Sequence, residues 1–257
     1  MIKIAFFDFD NTLFSHYTDQ IPVSNIKALD ELRNNNVLVY MCTGRPKSEL
    51  KLFDLSGLNI DGLIASEGQI AYDKDSNVLF DNPIDGVLKD KIIELFNEKR
   101  IPIMLNVENE IYANCVDDVI MNIRKKSNTP YPNIKEYSGE KFYMASAFRK
   151  NDEIWKEVYS LSNIATIEAW DENAIDFLPI GASKALGIEK LLNMLNIDKS
   201  KSICFGDSSN DLEMMKYCGI SVAMGNASQD IKDISTYITD DIDSDGIYNA
   251  LKHFKLI

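Results

Sequence analysis

The sequence predicts an α/β fold, with a core built on a mainly parallel sheet and a separate α+β block inserted into it. Three observations carry that prediction. Short β-rich runs alternate with amphipathic stretches over residues 1–82, a strand-rich pattern replaces that rhythm over 83–180, and the alternation returns over 181–257. The core is therefore discontinuous, drawn from both ends of a chain whose 257 residues exceed the usual size of one simple domain.

Residues 3–7 form an apolar run that reads as a buried strand, residues 24–34 as a helix capped by Ser24, and residues 37–42 as a second strand. Parallel sheets of this βαβ kind bind ligands at the carboxyl ends of their strands, where Asp8 and Thr43 fall. A strand over 62–65 leads into Ser66-Glu67-Gly68-Gln69, and an alternating pair over 70–72 and 78–80 flanks a turn at 73–77. The inserted block reads as helix 85–99, strands 102–106 and 110–115, helix 116–126, strand 141–148, helix 152–162 and strands 164–169 and 174–178. Helix 184–195, strand 202–205, helix 210–217, strand 219–222 and two short helices within 229–254 then complete the core.

Composition narrows the function. Hydrophobic residues make up 45% and charged residues 26%, as in folded globular proteins, and no apolar run approaches the roughly 20 residues needed to cross a bilayer. The first residues lead straight into an acidic run, leaving no room for a signal peptide, so a cytoplasmic location is expected. Four scattered cysteines (Cys42, Cys115, Cys204, Cys218) lack metal-type spacing and read as free thiols. His16 and His253 stand alone, which leaves acid–base work to carboxylates. A net charge of −13 argues against nucleic acid as a partner. It also means that an anionic substrate needs a bound cation and a few placed lysines or amides to reverse the local potential. The composition sets no oligomeric state.

Four segments supply the groups that phosphoryl transfer requires. In Asp8-Phe9-Asp10-Asn11-Thr12, two carboxylates end an apolar strand, one able to attack phosphorus and the other to protonate a leaving alcohol, provided that its neighbours first hold it protonated. Cys42-Thr43-Gly44-Arg45-Pro46 follows a strand and offers a hydroxyl and amide groups to a phosphate oxygen. Gly181-Ala182-Ser183-Lys184 opens a helix with a lysine able to neutralise a transferring phosphoryl group. Gly206-Asp207-Ser208-Ser209-Asn210-Asp211 adds two carboxylates four residues apart, of which Asp207, with Asp8 and the Asp10 carbonyl, supplies the hard oxygens that Mg2+ prefers. Asn210 can hydrogen-bond phosphate, and Asp211 can orient Lys184 or hold metal through water. Any one of these segments could be an ordinary acidic turn or a solvated helix start; their combination is what points to chemistry.

Taken in order, these segments resemble the four motifs of the haloacid dehalogenase superfamily of phosphatases. The insertion, the run Asp176-Phe177-Leu178-Pro179 and the tail Val222-Ala223-Met224-Gly225-Asn226-Ala227 are similar to the Cof-type branch. The resemblance implies a Rossmann-like core with an α+β cap at 83–180 and a Mg2+-dependent reaction through an aspartyl-phosphate. Its substrate would be a sugar phosphate or similar small phosphorylated metabolite. It implies Asp8 as nucleophile, Asp10 as acid and base, and Asp8, Asp10 and Asp207 as metal ligands. Phe9, Thr43, Gly44, Lys184 and Asn210 would hold phosphate, with Thr12 and Asp211 in support and Arg45 and Glu67 near the substrate.

Three positions depart from the branch. Asn11 replaces the usual glycine, tolerable because asparagine accepts positive φ, Glu67 replaces the usual asparagine, and Ser208-Ser209 replaces a pair that commonly contains glycine, with less consequence. In the cap, Tyr112, Tyr143, Arg149, Trp155 and Trp170 are candidates for contacting the leaving group. A phospho-acceptor or phosphate-sensing module and a phosphomutase are the alternatives on the same core; Asp10 argues against the sensor, because sensing needs no fast acid or base.

Overall fold

A computed structural model describes residues 1–127, 129–148, 156 and 158–257. The described chain divides into two units, Met1–Arg45 with Phe53–Asp81 and Ser183–Ile257, and Pro46–Leu52 with Asn82–Ala182. In chain order the strands are β1 (Ile4–Phe7), β2 (Leu38–Cys42), β3 (Gly62–Ala65), β4 (Ile70–Asp73), β5 (Val78–Asp81), β6 (Ile103–Val107), β7 (Ile111–Ala113), β8 (Asn133–Ile134), β9 (Phe142–Phe148), β10 (Ala165–Asp171), β11 (Ala174–Pro179), β12 (Ser202–Gly206), β13 (Ile220–Ala223) and β14 (Tyr237–Ile238).

The first unit is an eight-stranded sheet ordered β14-β13-β12-β1-β2-β3-β4-β5. β14 through β3 run parallel, β4 turns back antiparallel to β3, and β5 pairs antiparallel to β4. β1 lies at the centre because all four of its residues are apolar and fully buried, the signature of a strand covered on both faces. Register pairs Phe7 with Phe205 and with Met41, so β1, β12 and β2 end at one edge, and the rings of Phe7 and Phe205 stack at 4.8 Å. That register brings Asp8, Thr43 and Asp207 to a common edge of the sheet.

The second unit is a six-stranded sheet ordered β10-β11-β9-β6-β7-β8, antiparallel except for the β7–β8 pair. Alternation divides its faces: Ile103, Leu105 and Val107 pack with Leu88, Ile92, Leu95 and Phe96 of the helix Gly86–Glu98, while Met104 packs with Ile120 and Ile123 of the helix Asp118–Lys126. Residues 46–52, expected in the first core segment, group with this unit. There Arg124 Nη1 donates to Glu49 Oε1 at 2.7 Å.

Several local expectations change. Ser24 does not cap its helix; the helix is Val23–Asn34, with Pro22 at the cap position and no side-chain cap. Proline's fixed φ suits a helix entry, and the Pro22 carbonyl accepts from the Asn25 amide at 2.9 Å. The helix expected over 210–217 begins as a 3-10 turn, Ser209–Asp211, followed by the helix Leu212–Tyr217. A reciprocal capping box between Ser208 and Asp211 sets that entry. β8, β14 and the helix Lys47–Leu50 are two to four residues long, too short to show a period in sequence.

Of the helix expected over 152–162, residues 152–155 and 157, Trp155 among them, lie outside the described residues, as does Arg149, and the span ends in a 3-10 turn, Ser160–Asn163. Of the other cap candidates, Tyr112 and Tyr143 are buried and Trp170 is half-exposed. Tyr112 is a core residue, its ring edge-on to Phe96 and its hydroxyl donating to Glu140. Among the described residues no helix is long and apolar enough to cross a membrane.

Candidate functional site

The first residue after β1 is Asp8, buried, its amide donating to the Phe205 carbonyl of β12 at 3.0 Å. The next six residues fold into a tight loop because the Phe9 carbonyl accepts from the amides of Thr12, Leu13 and Phe14. Asn11 takes φ +54° within that loop, as its residue type permits. The Phe9 ring is buried against Phe14 and Phe53, which anchors the loop from below.

The helix Lys184–Leu195 starts where Ser183 caps it, Oγ accepting from the Leu186 amide at 3.2 Å. Its first residue, Lys184, is fully buried and donates to Asp8 Oδ1 at 2.6 Å and to Asp211 Oδ1 at 2.7 Å. Burial alone would drive off the proton, but the charges of Asp211, Asp8 and Glu67 outweigh it and hold Lys184 well above its usual range as a cation. Burial, followed by repulsion from Asp211, pushes Asp8 upward against the pull of Lys184. Burial and Asp211 likewise push Asp207 up to about 7, although the Thr12 hydroxyl donates to its Oδ1 at 3.1 Å.

Asp8, Asp207 and Asp211 each offer an oxygen within 4.8 Å of the others. Asp211 is already committed, since Oδ1 takes Lys184 and Oδ2 takes the amides of Asp207 and Ser208 at 2.9 and 3.1 Å. That leaves Asp8 and Asp207 as hard carboxylate donors, both pushed upward by burial and then by the charge of Asp211, a crowding that a divalent cation relieves. The donor set fits a hard divalent cation. Both Asp211 oxygens are thus taken within the chain, one of them by Lys184. Gly206 allows this arrangement, because a Cβ there would lie 2.6 Å from the Asp211 carboxyl carbon.

Asp10 overturns one expectation. Its neighbours hold it ionised: Arg45 grips it from Nε at 2.7 Å and Nη2 at 2.8 Å, and His16 Nε2 lies 2.6 Å from Oδ1. Burial opposes these contacts, yet the hydrogen bonds from His16 and Arg45 bring Asp10 down to about 2. A carboxylate only accepts, so Nε2 of His16 carries the proton. Sequence reading passed over His16 because an isolated histidine carries no pattern; only the 9–14 loop brings it back to Asp10. Arg45 is further placed by Phe53, over whose ring its guanidinium sits at 4.8 Å.

On the other side of Asp8, the Thr43 hydroxyl accepts from the Arg45 amide at 3.1 Å. Glu67 is buried beside Gly44, and its Oε1 accepts from Asn210 Nδ2 at 2.9 Å. A Cβ at Gly44 would stand 2.1 Å from that oxygen, so any side chain there would displace the Glu67 carboxylate. The sequence-derived residues thus gather into a Lys184 triad with Asp8 and Asp211, an Asp10–Arg45 pair that His16 joins, a Thr12–Asp207 pair and a Gly44–Glu67–Asn210 cluster.

The haloacid dehalogenase-like hydrolase family matches residues 5–251. The YkrA protein of Bacillus subtilis (strain 168) is 30% identical over 258 residues, covering 99% of this chain and 98% of its own. The structure of BT1666 from Bacteroides thetaiotaomicron, described among phosphatases of that superfamily, is 28% identical with a TM-score of 0.87, covering 100% of this chain and 96% of its own. That of the subclass IIB sugar phosphatase BT4131 is also 28% identical with a TM-score of 0.81, covering 99% of this chain and 100% of its own. The chain belongs to the haloacid dehalogenase-like hydrolases, as a phosphatase of the Cof-type branch.

Proposed function

We propose that this chain hydrolyses small phosphorylated metabolites, sugar phosphates foremost, through an aspartyl-phosphate on Asp8 with Mg2+ as cofactor. The observation that carries the reading is the buried contact of Lys184 with Asp8 at 2.6 Å, which sets a fixed cation against the proposed nucleophile. The description of BT4131 as a sugar phosphatase supports the substrate class. Asp8, Asp207 and the Asp10 carbonyl would hold the metal, which when bound neutralises charge on the phosphoryl oxygens.

The Asp8 carboxylate attacks phosphorus, the bond from phosphorus to the leaving oxygen breaks, and Asp10 supplies that oxygen with a proton. Asp10 takes up this proton from solvent as Arg45 turns from it toward the dianionic phosphate, removing two of the hydrogen bonds that keep it ionised. Water then attacks phosphorus, gives its proton to Asp10 and releases phosphate from Asp8. Lys184, Thr43, Asn210 and the amides of Phe9 and Gly44 hold the phosphoryl oxygens, with Thr12 and Asp211 fixing Asp207 and Lys184. Arg45 borders the leaving group, while Glu67 stands one side chain back, against Asn210.

The test is release of inorganic phosphate from a panel of phosphorylated sugars with magnesium present. Asp8→Asn should lower kcat by a factor on the order of 10^4 or more, and a variant that keeps wild-type turnover would rule out the aspartyl-phosphate route. Isomerised product without free phosphate would identify a mutase, and a stable aspartyl-phosphate without turnover a sensor.

A further inference from the structure

Ser66, Glu67 and Gly68 are three consecutive residues in the left-handed region, at φ +52°, +52° and +84°. Glycine adopts that conformation freely, whereas serine and glutamate do so only where their surroundings impose it, a pattern that concentrates at functional sites. The imposing contacts come from two loops of the site. The amides of Ser66 and Glu67 donate to the carbonyls of Arg45 and Thr43 at 3.1 and 3.3 Å. Gly68 lies so close to the start of the Lys184 helix that a Cβ on it would stand 2.2 Å from the Ser183 carbonyl oxygen. The Glu67 side chain reaches a third loop through Asn210.

Asn210 is gripped at both ends of its amide: Nδ2 donates to Glu67 Oε1 at 2.9 Å, and Oδ1 accepts from Ser208 Oγ at 2.7 Å. A flipped amide would set Oδ1 against an acceptor-only carboxylate, so Glu67 selects one of the two orientations. The same Glu67 oxygen borders Gly44. A buried carboxylate beside a phosphate loop repels the ligand, a disadvantage that a neutral side chain of the same shape would not carry.

We propose that Glu67 is a positioning residue, which presents the Asn210 amide to the phosphoryl group beside Gly44 and does not itself touch substrate. The inference rests on the phosphate-binding role assigned to Asn210 above. It predicts that the hydrogen bond matters and the charge does not.

Calorimetric titration of inorganic phosphate into the magnesium-loaded protein tests this without turnover, so it is read separately from the Asp8→Asn experiment. Glu67→Gly, which suits the left-handed backbone, should weaken phosphate binding about tenfold with Tm unchanged or raised. Glu67→Gln keeps an acceptor and should bind phosphate as tightly as wild type or more tightly. Asn210→Ala should also weaken binding, and adding Glu67→Gly to it should weaken binding no further, because the two act as one unit. Wild-type affinity in Glu67→Gly or in Asn210→Ala, additive losses in the double variant, or a Glu67→Gln as weak as Glu67→Gly would each overturn the proposal.

Discussion

Asn114 in the second unit and Lys184 in the first are both buried polar side chains, but their partners differ in kind. The amide of Asn114 donates to the main-chain carbonyls of Phe96 and Ile101 at 2.8 and 3.1 Å and accepts from the Ile103 amide at 2.8 Å. It fastens backbone to backbone, as a structural residue does. Among the described residues, the Lys184 ammonium meets side-chain charge, in Asp8 and Asp211. Buried charges cost folding energy, and replacing such groups with apolar residues is often neutral or stabilising. A unit that keeps several of them at one strand edge does so for chemistry, whereas a unit whose buried amide serves the main chain does so for shape.

Lys184→Ala applies the greatest stress to that contrast. It leaves Asp8 and Asp211 facing each other without a cation, which should destabilise the metal-free protein by about 3–5 kcal/mol and abolish measurable turnover. The loss should shrink on acidification. Asp8 already has a raised pKa in the folded state, so the folded form binds its proton more tightly than the unfolded form does. Stability is therefore gained as pH falls through the raised value toward the ordinary carboxylate range. Chemical denaturation of the variant at pH 5 and pH 8 checks this; equal stability at both would mean that the two carboxylates are not uncompensated charges.

Asn114→Ala makes the complementary test. Three main-chain groups lose a partner, so stability should fall by about 1–3 kcal/mol while kcat/KM on a small aromatic phosphate stays within about twofold. A large fall in kcat at full stability would show that the second unit carries chemistry as well as shape.

Which parts of this were legible in the sequence follows the same division. Uniform apolar strands such as Ile4–Phe7, each ending in a polar run, announced both the parallel sheet and the edge where Asp8, Thr43 and Asp207 meet. Lys184 was legible because Ser183 gives its helix a recognisable start. What stayed hidden depended on where loops return. His16 reaches Asp10 only through the turn closed on the Phe9 carbonyl, and Arg45 reaches it from another strand, so the ionised state of Asp10 had no signal in residue order. Glu67 stood out as a departure, but its partner Asn210 lies 143 positions away in sequence. Pro22 as helix entry and the two-residue strand β14 fell below the length at which periodicity speaks.

The smallest effect concerns the cation and pH. Asp207 sits at about 7 in the metal-free site because burial and the charge of Asp211 disfavour its ionised form. A carboxylate must lose its proton to bind magnesium, so binding competes with protonation. Apparent affinity should rise about tenfold per pH unit up to pH 7 and level off above it, more steeply if Asp8 must lose a proton as well. The same raised pKa means that the metal-free protein loses stability as pH rises from about 4 to about 7, so the gain in Tm on adding magnesium should be larger at pH 8 than at pH 5.5. Asp207→Asn removes the titrating group and should flatten that dependence. A magnesium effect on Tm that is equal at both pH values in the wild type would place the cation away from Asp207, and with it the distinction between a unit built around charge and one built around main chain would lose its clearest chemical mark.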